Sequence, residues 1–303
     1  MIARRQFLHY TAAAATAPLL GSTSVQAAAP ASPARTFATA TGFAALEQAC
    51  AGRLGVAVLE AAGEGSGRVL AGHRLDERFP LCSTFKALLA ASVLDRAAQS
   101  PALLERRLAV TAADLLEYAP VTRRHVGKTM TVRDLCRATV TTSDNTAANL
   151  LLDAFGGPPA LTAFLRGLGD TVTRCDRREP ELNLFTPDDP RDTTTPQAMA
   201  TTLARLANGA VLAPAARQQW ADWLIDNQTG DACLRAGLGS RWRVGDKTGA
   251  NGEGARNDVA VLWPLGGGSP YVVVAYLQAG GISFAERADV LAQVGRIAEA
   301  MIG

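Results

Sequence analysis

Apolar residues fall into two rhythms along this chain. Short runs suited to strands cluster near its two ends, and helical spacing fills most of the middle. "TGFAALEQACA" at 41–51 has helical spacing. "RLGVAVLEA" at 53–61 reads as a strand, and Gly63 to Gly67 as a turn. "GRVLAGHRLDERF" at 67–79 then reads as a second strand leaving that turn. From Phe85 to about residue 225 the pattern is mostly helical, broken at Pro101, at Pro120, at "GGPP" 156–159 and by a polar segment from Arg174 to Asp192. "TTPQAMATTLARLANG" at 194–209 is a helix, with Pro196 suited to its first turn and Gly209 to its end. Three strands follow, "RWRVGDKTG", "NDVAVLWPL" and "SPYVVVAYLQ", separated by turns. "SFAERADVLAQVGRIAEAMI" closes the chain as a helix, with Ser283 and Glu286 spaced as a capping box.

The order of helix, two strands, many helices, three strands and helix implies an antiparallel sheet covered by the terminal helices, with an all-helical insertion. The expected fold class is therefore α/β plus all-α. An α/β domain would comprise 38–80 together with 226–303. The helical domain would span 81–225 and include an omega-type loop at 174–192. No internal repeat is evident.

Composition narrows the partners. The chain has 303 residues, 48% hydrophobic and 19% charged, a globular profile with ample material for a core. The formal net charge is +2, an excess that Arg4 and Arg5 supply, and no basic stripe is interleaved with aromatics, so nucleic acid is not an expected partner. The first 29 residues read as an export signal. Arg4 and Arg5, followed by Gln6, Phe7 and Leu8, resemble a twin-arginine motif, and "QAAAPA" offers small residues for cleavage. The precursor is thus expected to meet the twin-arginine export machinery and the mature, soluble chain to reside in the periplasm. Five cysteines, Cys50, Cys82, Cys136, Cys175 and Cys233, form no CxxC pair, so no metal or other cofactor is expected.

Four short patterns carry the chemistry: Ser83-Thr84-Phe85-Lys86, Ser143-Asp144-Asn145, Glu179-Pro180-Glu181-Leu182-Asn183 and Lys247-Thr248-Gly249. Each alone has an ordinary reading, as a capped helix start, an N-cap (Ser143 or Asp144), a surface loop and a strand end. Together and in this order they match serine enzymes that acylate on β-lactams. Residues three apart share a helical face, so Lys86 can sit beside the Ser83 hydroxyl. A serine hydroxyl needs a base, and a lysine serves only where desolvation or nearby cations lower its pKa. The apolar flanks of Lys86 suit that, and Lys247 is a second cation.

These residues resemble the class A serine β-lactamases over essentially the whole mature chain. "CSTFK", "LLEYAPVT", "SDNTAANLLL", "DRREPELN", "RDTTTPQAMA" and "DKTGA" carry the resemblance. It implies a five-stranded antiparallel sheet, an all-α domain, and an active site in the cleft between them. It implies Ser83 as nucleophile, with Lys86 and Glu179 sharing acylation and Glu179 driving deacylation. Asn183 would be the second ligand of the hydrolytic water. Ser143 would relay a proton to the β-lactam nitrogen, and Asn145 would bond Lys86 and the substrate amide. Lys247, Thr248 and Arg256 would bind the substrate carboxylate. Gly249, Ala250 and Asn251 would line the strand edge, and the Ser83 and Ala250 N–H groups would form the oxyanion hole. Tyr118 would stand at the gateway. Asp144, and Arg177 paired with Asp192, would hold the loops. Pro180 makes a cis link after Glu179 plausible.

The departures concern specificity. Cys136 fits one end of a disulfide common in the family, but Ala90 occupies the other. Cys82 precedes the nucleophile as in members that bridge it, but Asn251 stands at the partner position, so Cys82 is expected to be a buried, inert thiol. Arg178 stands where an aromatic is common. D,D-peptidases share three of the four patterns and lack "EPELN". That segment therefore favours hydrolysis of a small β-lactam by water over a peptidase or a non-hydrolytic sensor. A monomer is the default expectation.

Overall fold

A computed structural model describes residues 42–62 and 67–303. The export segment read at 1–29 lies outside the described residues, as does most of the turn read at 63–67. Along the chain, α1 (Phe43–Cys50) leads to β1 (Arg53–Glu60), β2 (Arg68–His73) and β3 (Phe79–Pro80). Next come α2 (Phe85–Gln99), β4 (Arg107–Val110), β5 (Lys128–Thr131), α3 (Val132–Thr141), α4 (Asn145–Ala154) and α5 (Gly157–Gly167). After β6 (Thr193–Thr194) follow α6 (Pro196–Asn208), α7 (Pro214–Ile225), α8 (Leu234–Gly237), β7 (Trp242–Ala250), β8 (Ala255–Pro264), β9 (Tyr271–Gln278) and α9 (Phe284–Ile302).

The main sheet has five strands in the order β2-β1-β9-β8-β7, every pairing antiparallel. The first and last parts of the chain meet at its centre, where β1 pairs with β9 along its whole length. The central strands β1 and β9 are apolar on both faces because both faces are covered. Leu54, Val56 and Val58 of β1 join Val273, Ala275 and Leu277 of β9 in a core closed by Phe43 and Leu46 of α1 and Val290, Leu291 and Val294 of α9. The alternate residues Ala57, Leu59, Val272, Val274 and Tyr276 face the other way. They pack with Phe85 and Leu88 of α2 and Met199 and Leu203 of α6 in a second core, which runs on through the helical region.

The helix ends follow the sequence. Pro196 opens α6 behind Thr195, whose hydroxyl accepts from Ala198 N at 3.2 Å. Ser283 and Glu286 form the expected capping box on α9. Gly156 of "GGPP", with φ 95°, caps α5, and Gly157 and the two prolines fall in its first turn.

Three expectations need correction. The second strand ends at His73 rather than Phe79, because Arg74 takes a left-handed φ of 49° and turns the chain into a cluster of ion pairs with Glu47 and Glu77. The block read as helical holds a small hairpin of β4 and β5, each four residues long and too short for its alternation to show against helical neighbours. Ser83 does not lie in the first turn of α2. It sits in a separate 3-10 turn, Cys82–Thr84, that leads into that helix.

Candidate active site

The turn that carries Ser83 follows a left-handed residue, since Cys82 has φ 43°. Non-glycine residues adopt this conformation at a cost of about 1 kcal/mol or more, and such positions concentrate at functional sites. Cys82 is buried and unbridged, and burial raises its thiol pKa far above the ordinary value, so it is inert as expected. The new fact is the bend it makes just before Ser83. The spacing of three still brings Lys86 Nζ to 3.0 Å from Ser83 Oγ.

Lys86 is wholly buried, yet its ammonium donors are used. Nζ lies 2.9 Å from Ser143 O, 3.3 Å from Ser143 Oγ and 2.5 Å from Asn145 Oδ1. It also pairs with Glu179 Oε1 at 3.0 Å, both side chains being fully excluded from solvent. Burial pulls the Lys86 pKa below its ordinary value, against the opposing pull of Glu179.

Of the two candidate caps for α4, Asp144 is the one used: its Oδ1 accepts from Ala147 N at 2.9 Å. The same carboxylate accepts from Val121 N, Thr122 N and Thr122 Oγ1, which fixes the segment after Tyr118. That leaves Ser143, with φ 59°, free of capping, and its hydroxyl stands between two amines. Lys86 Nζ is on one side, and Lys247 Nζ, at 3.1 Å, on the other.

The segment 174–192 is an ordered loop with one 3-10 turn at Glu181–Asn183. Its ends are tied as the sequence suggested. Arg177 Nε meets Asp192 Oδ2 at 2.5 Å, and Asp192 Oδ1 accepts from Asp176 N and Arg177 N. The Glu179-Pro180 peptide is cis. Glu179 Oε1 accepts from Ser83 Oγ at 3.3 Å, and Oε2 accepts from Asn183 Nδ2 at 2.5 Å. Arg178 points away and pairs with Asp153 at 2.7 Å.

Strand β7 forms the opposite wall. A Cβ on Gly249 would lie 3.1 Å from Ser83 N and from Leu81 O, so a side chain there would crowd the turn that carries Ser83. Lys247 is wholly buried, and its pKa is lowered to about 7, chiefly by burial and then by the Lys86 charge. Ala250 ends the strand opposite Arg256 of β8. Asn251 turns the hairpin, its Oδ1 accepting from Glu253 N and Ala255 N, and its Nδ2 donates to Asn183 O at 3.1 Å. Ser83, Tyr118, Ser143, Asn145 and Asn183 line one cleft of about 450 Å³ with Thr248, Gly249, Ala250 and Arg256. A larger hollow of about 640 Å³ beside α3 contains none of these residues.

Comparison with known proteins bears on the identity of this cleft. A model of the beta-lactamase enzyme family matches residues 39–301. The chain is 63% identical to beta-lactamase L2 of Stenotrophomonas maltophilia over the full length of both. It is 44% identical to beta-lactamase CTX-M-8 of Citrobacter amalonaticus, covering 84% of this chain and 86% of the relative. Among solved structures, a crystal structure of L2 complexed with relebactam matches with a TM-score of 0.86 and 70% identity, over 88% of this chain and 97% of the other. An ancestral class A β-lactamase matches with a TM-score of 0.80 and 58% identity, over 84% and 96%.

The chain belongs to the class A β-lactamases.

Within this class A β-lactamase site the structure adds residues that the four motifs did not reveal. Asn149 clamps the Glu179 backbone in both directions, accepting from its N at 3.0 Å and donating to its O at 2.8 Å. Its signal was available, since it lies four residues after Asn145 on the same face of α4. Thr229 lines the cleft with its hydroxyl 2.5 Å from that of Thr248. Phe284 lines the cleft as the first residue of α9. Neither has a motif around it, and both arrive only through the folding of distant segments.

Proposed function

We propose that this β-lactamase opens the β-lactam amide through an ester on Ser83 and hydrolyses that ester with water activated by Glu179. The observation that carries the reading is the approach of Glu179 and Lys86 to one hydroxyl at the floor of the cleft: 3.3 Å and 3.0 Å from Ser83 Oγ, with both side chains buried. Ser83 Oγ attacks the carbonyl carbon and gives its proton to the Lys86–Glu179 pair. The Ser83 and Ala250 N–H groups stabilise the oxyanion. As the ring C–N bond breaks, the proton passes through Ser143 Oγ to the leaving nitrogen. Lys86 and Lys247, both within 3.3 Å of that oxygen, support this relay. In the second half, water held between Glu179 and Asn183 attacks the ester, Glu179 takes its proton, and Ser83 Oγ recovers one. Lys247, Thr248 and Arg256 hold the substrate carboxylate, Asn145 its side-chain amide, and Tyr118 borders the entrance.

Mass measured against time after mixing with benzylpenicillin tests the scheme. The wild type is expected to show a transient adduct with turnover, and Ser83→Ala none. Glu179→Ala should accumulate the adduct, with deacylation slowed on the order of 10²- to 10⁴-fold. Unchanged turnover by Glu179→Ala would remove it from the deacylation step.

The paired Arg4 and Arg5 support delivery to the periplasm by the twin-arginine machinery, where an enzyme conferring β-lactam resistance meets the drug. A site built from one chain supports action as a monomer. Cell fractionation of a chain with Arg4→Lys and Arg5→Lys should find the precursor retained in the cytoplasm. Export of this variant at the wild-type level would refute that route.

A further inference from the structure

Arg256 occupies an unusual position for a buried cation. It is 8% exposed, lines the cleft, and has no acidic partner among the described residues. Its polar contacts are weak: Nη2 reaches Thr229 O at 3.4 Å and Cys233 Sγ at 3.3 Å, while Nε is buried with no partner. Burial pushes the Cys233 thiol up to about 12, so it stays neutral and leaves the guanidinium charge uncompensated. Asp258, two residues along β8, forms no ion pair with Arg256, and burial and the neighbouring Asp246 push its pKa well above the usual carboxylate range.

The close contact that remains is aromatic. The Arg256 guanidinium lies 4.1 Å from the centroid of the Phe284 ring. Arg287, one turn further along α9, lies 6.0 Å from the same ring, again without an acidic partner among the described residues. A ring face carries negative potential, so it attracts both cations. Phe284 is 51% exposed, a high value for a large apolar side chain, and it is held by the capping box that fixes the start of α9.

We propose that Phe284 is a positioning residue for substrate recognition. Its ring is the platform that holds the unpaired Arg256 guanidinium ready for the carboxylate of a β-lactam. This inference rests on the reading of the cleft given above. An acid in place of the ring would hold Arg256 equally well but would cancel the charge the substrate needs. A π face orients the cation and leaves that charge available.

The test is a double-mutant cycle on the full enzyme with benzylpenicillin. Phe284→Ala is expected to raise KM about five- to twentyfold, a cation–π contact's worth, with kcat changed less than about twofold. Phe284→Tyr, which keeps the π face, should restore KM. In an Arg256→Ala background, Phe284→Ala should raise KM no further. If Phe284→Ala does not fold, Phe284→Leu serves in its place and should also raise KM. An equal rise in the Arg256→Ala background, or an unchanged KM in the single variant, overturns the proposal. Absence of turnover by the wild type overturns the reading of the cleft and this inference with it. Wild-type turnover with uncoupled substitutions overturns this inference alone.

Discussion

Two buried amines share one hydroxyl at the centre of this site, and their charge states set its chemistry. Burial lowers both, but Glu179 opposes the shift at Lys86, whereas Lys247 has no ion-pair partner among the described residues and is lowered to about 7. Removing one partner of a buried pair leaves the other charge stranded, at about 3–5 kcal/mol. Glu179→Ala is therefore expected to lose stability as well as deacylation. For Lys247 the pH sign is definite. Binding a carboxylate requires the ammonium, which in the free enzyme is present below about pH 7 and lost as pH rises through it. The value of kcat/KM, which reports the free enzyme, should fall on the alkaline side with a midpoint near 7. The fall in kcat should lie at higher pH, because bound carboxylate stabilises the ammonium. Lys247→Arg, which stays charged, should shift the fall in kcat/KM to higher pH. Identical alkaline profiles for the two proteins would rule out Lys247 as its source.

At the scale of elements, the loop at 174–192 does most to convert sequence into a site. It has little regular structure, so its order comes from polar ties: Arg177 to Asp192, the Asp192 carboxylate to two backbone N–H groups, and Asn149 to both sides of Glu179. Asp192 itself has φ 56°, and its N donates to Asp176 Oδ2 at 3.0 Å. Asp192→Asn retains an acceptor for the backbone but removes the charge opposite Arg177. Deacylation should then slow on the order of ten- to a hundredfold, since small displacements of a general base are costly. Acylation, which retains Lys86, should slow less. Pre-steady-state mixing with a chromogenic cephalosporin should show this as a burst followed by a slow steady state. Equal loss in both phases would count against a selective role for the loop closure. The strands β4 and β5 show the opposite case, an element with no signal of its own that forms where its neighbours leave room.

Across the whole molecule, the sheet joins β1 to strands more than 180 residues further on, and the site lies where the four motif segments converge. Much of this was legible in the residues alone. Short apolar runs on either side of the helical block implied an antiparallel sheet covered by the terminal helices. Capping residues marked the ends of α6 and α9, and the four motifs named the side chains that the fold brings together in the cleft. Those features are local, set by side-chain spacing and backbone preference, so a linear reading reaches them. The tertiary structure decided what depends on burial and on long-range approach. It chose Asp144 over Ser143 as the cap and bent the chain at Cys82. It buried Lys86 and Lys247 side by side and so lowered the pKa of each, and it brought Phe284 beneath Arg256. A pKa or a cation on a ring depends on what surrounds a side chain in space, and only the folded chain supplies those surroundings.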